Sequence, residues 1–502
     1  MKQSFFRGAL ILMIGSVLSR ILGFIYRICI VRLLGPEGIG LYEMVFPAIT
    51  LILVLTTAGI PVALAKLIAG DFARGHRRKV AAILRVSLLI LVATGILFPA
   101  VLIYTAPWLV PKVFSDPRAY WPFMHLIPAL FFVSISSVLR GYFQGINFML
   151  PLATGQLLEQ VIRIVMGIGL VSWLLPYGVE FGAAGLSLAV VVGEAAGLAV
   201  LVVYFWGTRL QVTSPKSQTE PAIEGRLIIR ELLSLATPVT MSRVVSSLML
   251  SAKAIVIPNR LQLAGATLEQ ATQLYGILSG MAMSLVNFPS VITGSLSSVL
   301  LPATAAAIAK KEFKAVELRI NQAFKLTVLT ALPFTLWFIL LGEPLTLAFF
   351  NNREAAIPLK ILAPGCVFFY LQQTSSGMLY GMGQMKTLFI NSLIGNSVSL
   401  LVTYVLTGMP ALGIKGAALG ILVGTLITCM LNLGALFKTT PVTLQLSGWL
   451  HRSLFALGIM AIFILLAGGK IPVLLTVTAS GSCYVLSLFL TGGLRLTDFR
   501  KS

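Results

Sequence analysis

Arg20, Arg27 and Arg32 stand within VLSRILGFIYRICIVRLLG, Val17 to Gly35; Arg243 and Lys253 stand within SRVVSSLMLSAKAIVIP. Glu159 and Arg163 fall in QLLEQVIRI, and Glu194 in VVVGEAAG. All these runs are apolar enough to cross a bilayer, where a charged side chain at a helix centre costs about 2.5–3.5 kcal/mol on insertion scales. With a rise of 1.5 Å per residue, Arg20 lies roughly 18 Å into its segment, near the midplane, too deep to reach water along its own stem. Arg27, seven residues on, is rotated by about 20° and shares the Arg20 face, with Gly23 between them leaving space beside the helix. Arg32 lies further out and reads as a snorkelling anchor at the outer edge.

The chemistry these types allow is anion binding. A guanidinium presents a planar fork of donors that matches two oxygens of a phosphate. Arg20 and Arg243 are therefore the expected binders of a phosphate or pyrophosphate group, with Arg27 and Lys253 as outer contributors. Lys253 lies about 80° off the Arg243 face. Glu159 and Arg163, spaced i and i+4, form a helix-surface pair. Together with Glu194 they read in two ways: mutual neutralisation that fixes helix packing, or charge balancing and proton uptake during a transport cycle.

Catalysis has no support. The three histidines, His76, His125 and His451, are scattered, and no phosphate-cradling loop or metal-ligand run occurs. No catalytic residue, metal or cofactor is expected. Cys29, Cys366, Cys429 and Cys483 lie in apolar runs without paired spacing and read as small buried hydrophobes.

These side chains need helices to hold them. Of 502 residues, 57% are hydrophobic and 11% charged, against about 25% charged in soluble domains; the chain reads as an all-α polytopic membrane protein. Spans of about 20 apolar residues fall near 8–31, 41–65, 81–107, 120–140, 151–175 and 182–206. A second set falls near 233–257, 273–300, 325–349, 357–381, 387–408 and 413–437, and two more near 448–468 and 471–491, about fourteen in all. The first run is longer than a leader's apolar core and reads as a span, not a cleavable signal. The net charge of +21 is no nucleic-acid signal, because the Lys and Arg alternate by loop. Lys2, Arg7, Arg74, Arg77, Arg78, Lys79, Arg209, Lys310, Lys311, Lys314, Arg495, Arg500 and Lys501 fall on one side, which places both termini in the cytoplasm.

The two sets echo each other. Ser19-Arg20 recurs as Ser242-Arg243, Phe98-Pro99 as Leu332-Pro333, Gly141-Tyr142-Phe143-Gln144 as Gly381-Met382-Gly383-Gln384, and the Gly182/Gly185 pair as Gly413/Gly416. An even number of spans per copy makes this a parallel repeat. The expected organisation is a six-helix lobe over 1–206, a cytoplasmic linker over 207–231, and a second six-helix lobe over 232–438. Residues 439–502 carry two further helices and a tail. Two lobes about a central cavity suit a transporter, though an architecture names no substrate.

Three segments carry a family likeness: SVLSRILGFIYRICIVRLLGPEGIGLYEMVFPAITL, AGIPVALAKLIA and LRGYFQGINFMLPLATGQLLEQVIRI. They resemble the stage V sporulation protein B group, polysaccharide-biosynthesis members of the multidrug/oligosaccharidyl-lipid/polysaccharide exporter superfamily, and the likeness extends over the whole chain. It implies two six-helix lobes in a V plus two C-terminal helices, and a role in cell-wall or spore cortex synthesis. The lipid II flippases of that superfamily are similar but more distant. Their Ser-Arg-x-x-Gly-Phe motif is matched by Ser19, Arg20, Gly23 and Phe24, whereas their next arginine is displaced here to Arg27 and their following acid is replaced by Ile28. Their second-helix arginine has no counterpart in TLILVLTTAG.

The resemblance implies a flippase for an undecaprenyl-pyrophosphate-linked peptidoglycan precursor working by alternating access. Coupling would be to protons, sodium or the membrane potential. The expected partners are a lipid-linked anionic saccharide, membrane lipids and cell-wall synthases. The competing readings are a flippase for another lipid-linked oligosaccharide, a multidrug/cation antiporter of the same fold, and a non-transporting scaffold for wall synthases.

Overall fold

A computed structural model describes residues 5–212, 225–294, 313–439, 448–467 and 469–494. Parts of the expected linker, of the 273–300 segment and of the charged tail lie outside them. The described residues are helical, with no strand among them, and eleven stretches are long and apolar enough to cross a membrane. The chain forms two compact units: Met1–Asn259 with Thr267–Gly276, and Arg260–Ala266 with Ile277–Ser502. The first unit thus keeps the helix that carries Arg243 and Lys253, beyond the expected lobe boundary at 206.

In the first unit, α1 runs Phe5–Thr57 and is bent at Gly35, with φ 74° and ψ 172°. Only glycine takes that conformation at little cost, and Pro36 bars the residue before it from the α region while opening the next helical turn. The expected first span and most of the second are therefore one bent element. The second is also broken where the sequence suggested continuity: Ala58 and Gly59 both have positive φ, 42° and 64°, and α2 restarts as Ile60–Ala73 with Pro61 in its first turn. Next come α3 (Arg77–Val113), α4 (Tyr120–Leu126), α5 (Ala129–Gly145), α6 (Leu150–Leu174), α7 (Val179–Val212), α8 (Gly225–Leu263) and α9 (Leu268–Gly276).

The core of this unit joins Ile60, Leu64 and Ile68 to Val80, Ile83, Tyr142, Phe143 and Leu232. Gly141 lets α5 lie on α2, since a Cβ there would fall 2.7 Å from the Pro61 carbonyl oxygen. Between apolar helices in lipid, such close approach supplies the van der Waals attraction that water expulsion supplies elsewhere.

In the second unit, α10 (Phe313–Leu340), α11 (Cys366–Gly381), α12 (Met385–Thr407), α13 (Ile414–Thr439), α14 (Leu450–Ala467) and α15 (Val473–Leu490) follow. The expected spans 273–300 and 357–381 are interrupted helices here. A π turn at Ile277–Ala282 breaks the first, and a 3-10 turn at Ala363–Gly365, around Pro364, breaks the second. Buried polar side chains pair across helices, with Asn391 Nδ2 donating to Asn432 Oδ1 at 3.0 Å and Thr327 and Thr374 sharing a hydrogen bond at 2.8 Å.

The repeat is visible inside each unit. Pro99 lies within α3 and Pro333 within α10. A Cβ on Gly185 of α7 would meet the Leu170 carbonyl of α6 at 2.9 Å, and one on Gly416 of α13 would meet the Leu406 carbonyl of α12 at 2.5 Å. Cys366 and Cys429 are buried as expected, but Cys29 is exposed and Cys483 intermediate.

Candidate functional site

Arg20 is exposed on α1, while Ser19 beside it is buried. Arg20 has no ion pair or hydrogen bond among the described residues. Gly23 does not leave an open space; it faces Gln160 of α6, whose Nε2 would lie 3.6 Å from an added Cβ. Arg27 is held: its Nη2 donates to Glu43 Oε1, and the pair joins the two halves of α1 across the Gly35 bend. Arg32 is exposed near that bend. Arg243, exposed on α8, has no partner among the described residues, and Lys253 is half-buried nearly three turns further on.

Glu159, Arg163 and Glu194 come together with a fourth residue, Arg140 of α5, at the edge of the expected 120–140 span and not among the expected site residues. Arg163 Nη2 donates to Glu159 Oε1 at 2.6 Å and to Glu194 Oε1 at 3.0 Å. Arg140 Nη2 donates to Glu159 Oε2 at 2.8 Å and lies 3.7 Å from Glu194 Oε2. Two acids against two bases leave the quartet neutral, the condition under which buried charge persists. Satisfaction is incomplete, because Glu194 Oε2 and Arg163 Nε are buried without a hydrogen bond among the described residues. Gly193 and Gly197 of α7 open the space for it, since Cβ atoms there would meet Arg163 Cβ at 3.1 Å and Glu159 Cβ at 3.2 Å. Tyr26 and Tyr42 of α1 lie within electrostatic reach of both Arg163 and Arg27, so the quartet adjoins the helix that carries Arg20.

The internal repeat shows that this interface can pack without charge. By the α6/α12 and α7/α13 registers, Glu159 and Arg163 correspond to Gly395 and Ser399, and Glu194 to Thr425. The contacts match: Gly197 meets Glu159 in one copy as Thr428 meets Gly395 in the other, and Gly193 meets Arg163 as Gly424 meets Ser399.

A third group lies at one end of the first unit. Arg118 Nη2 donates to Asp116 Oδ2 at 2.8 Å and its Nη1 to Glu37 Oε1 at 2.7 Å, while Thr272 of α9 donates to the same Asp116 oxygen at 2.9 Å. Glu37, Glu43, Asp116, Arg118 and Arg140 were not expected as site residues. Asp116 and Arg118 pair within one turn of chain, and the remaining partners sit on other elements or beyond the bend, so no i, i+4 spacing announces them. No cluster of potential metal ligands occurs among the described residues.

The sequence matches the family model for polysaccharide biosynthesis proteins over residues 5–308 and the MatE model over residues 279–405. It is 36% identical over 445 residues to the stage V sporulation protein B of Bacillus subtilis (strain 168), an alignment covering 89% of this chain and 86% of that protein. To the lipid II flippase MurJ of the same organism it is 23% identical over 420 residues, 80% of this chain and 77% of that one. A solved structure of lipid II flippase MurJ in an inward closed conformation superposes with a TM-score of 0.69 at 17% identity, over 95% of this chain and 98% of that chain, which establishes a common fold. The chain therefore belongs to the polysaccharide biosynthesis protein family, in the stage V sporulation protein B group of the multidrug/oligosaccharidyl-lipid/polysaccharide exporter superfamily, a family of multi-pass transporters and not of enzymes.

Proposed function

We propose that the chain is a flippase that moves an undecaprenyl-pyrophosphate-linked peptidoglycan precursor, lipid II or a close analogue, outward across the bacterial cytoplasmic membrane by alternating access. The observation that carries the reading is the exposure of Arg20, at mid-membrane depth, with no counter-ion among the described residues. An arginine there is stable only against water or an anion, not against lipid tails. Arg243 is exposed and unpaired among the described residues in the same way and stands at the repeat-related position. Two guanidiniums supply the paired donors a pyrophosphate needs. Both termini are cytoplasmic in this reading.

The quartet Arg140–Glu159–Arg163–Glu194 serves as the coupling element. Its repeat counterpart packs the same interface with Gly395, Ser399 and Thr425, so packing alone does not require the charges. A proton, a sodium ion or the membrane potential supplies the driving force through it. A multidrug/cation antiporter would need an acidic binding face, the opposite of Arg20 and Arg243.

The test is reconstitution in vesicles with three cargoes offered separately: fluorescent lipid II, an undecaprenyl-pyrophosphate-linked oligosaccharide of another repeat, and a lipophilic cation. Lipid II is expected to flip, and the cation to be left untouched. Cation export with no lipid II movement would refute the reading.

A further inference from the structure

Arg27 is seven residues beyond Arg20 on α1, about 10 Å further along the axis, and shares its type and helix face, yet the two arginines are in opposite states. Arg20 is exposed without a partner among the described residues, whereas Arg27 is held by Glu43. The Arg27 and Glu43 side chains retain 20% and 16% of their exposure, so water and small anionic groups reach the pair. The repeat sharpens the contrast. Arg20 has its counterpart in Arg243, but seven residues after Arg243 stands Leu250, so the second copy carries no equivalent of Arg27. Arg27 and Glu43 also sit on opposite sides of the Gly35 bend, where φ 74° interrupts the regular helix.

From this geometry we infer that Glu43 is a built-in counter-anion, a placeholder for the ligand's phosphate at Arg27. This rests on the anion-binding reading of Arg20 given above. With no ligand, Glu43 neutralises Arg27 in a medium where a bare charge is costly. When a pyrophosphate docks at Arg20, its second phosphate competes with Glu43 for the Arg27 fork. The carboxylate that leaves belongs to the far half of α1, so ligand binding releases the tie across the bend. Glu43 is thus a positioning residue that acts through Arg27: it weakens binding of the anion and makes the α1 bend sensitive to its presence.

The experiment measures binding of undecaprenyl pyrophosphate to the full chain in nanodiscs of neutral lipid, alongside melting temperature. Glu43→Gln is expected to tighten binding about tenfold, since it removes the carboxylate that competes with the phosphate for Arg27. Arg27→Ala combined with Glu43→Gln is expected to show none of that gain, because the effect passes through Arg27. Glu43→Asp, which keeps the charge and shortens the reach, is expected to shift affinity the same way by a smaller factor and serves if Glu43→Gln does not fold. A purely structural tie would instead lower the melting temperature and leave affinity unchanged or weaker; that result, with Arg20→Ala having lost binding, would overturn the placeholder role alone. Wild-type binding by Arg20→Ala would overturn the anion reading and this inference with it.

Discussion

At the scale of single residues, partners separate side chains that look alike in the sequence. Arg20 and Arg243 are exposed and unpaired among the described residues, Arg27 is tied to Glu43, and Arg163 is enclosed with two acids. Arg163→Ala is expected to destabilise the protein by about 3–5 kcal/mol, because Glu159 and Glu194 are left as buried carboxylates with only Arg140 to balance them; thermal unfolding in detergent measures this. Arg20→Ala, by contrast, should leave the melting temperature unchanged, since it gives up no hydrogen bond or ion pair among the described residues. The sequence announces Glu159 and Arg163 through their i, i+4 spacing and Arg20 through its depth. Glu43 and Arg140 escape it because their partners come from beyond a bend and from neighbouring helices.

At the scale of elements, glycine and proline decide where helices bend and how closely they meet. The division into apolar helices was legible in composition, whereas the breaks at Ala58–Gly59, Ile277–Ala282 and Ala363–Gly365 were not. Hydrophobicity continues through a break, and although Pro61 and Pro364 stand at two of them, Pro99 and Pro333 lie inside continuous helices, so proline alone does not mark one. The repeated contacts of Gly185 with Leu170 and of Gly416 with Leu406 predict equal sensitivity in the two copies. Gly185→Ala and Gly416→Ala should each cost about 1–3 kcal/mol by overpacking against backbone, read as a lowered melting temperature. The charged and uncharged versions of the same helix pair allow a sharper test. Grafting the second copy onto the first, as Arg140→Tyr, Glu159→Gly, Arg163→Ser, Glu194→Thr and Gly197→Thr together, should give a folded protein that no longer couples transport to an ion gradient. Coupled transport by that variant would return the quartet to a packing role.

At the scale of the whole molecule, the sequence repeat, the family match and the superposition on a lipid II flippase agree on a transporter fold. The two copies are alike in backbone contacts and unlike in charge, and Arg20 and Arg243 both fall in the first unit, which holds α1 and α8 as far as Asn259. The central claim is that Arg20 and Arg243 together hold the pyrophosphate. Its most direct test follows fluorescent lipid II across vesicle membranes containing the Arg20→Ala, Arg243→Ala double variant. Losing two charge-assisted contacts of about 1.5–3 kcal/mol each should cut translocation about 100-fold or more at an unchanged melting temperature. Translocation at the wild-type rate would contradict the account.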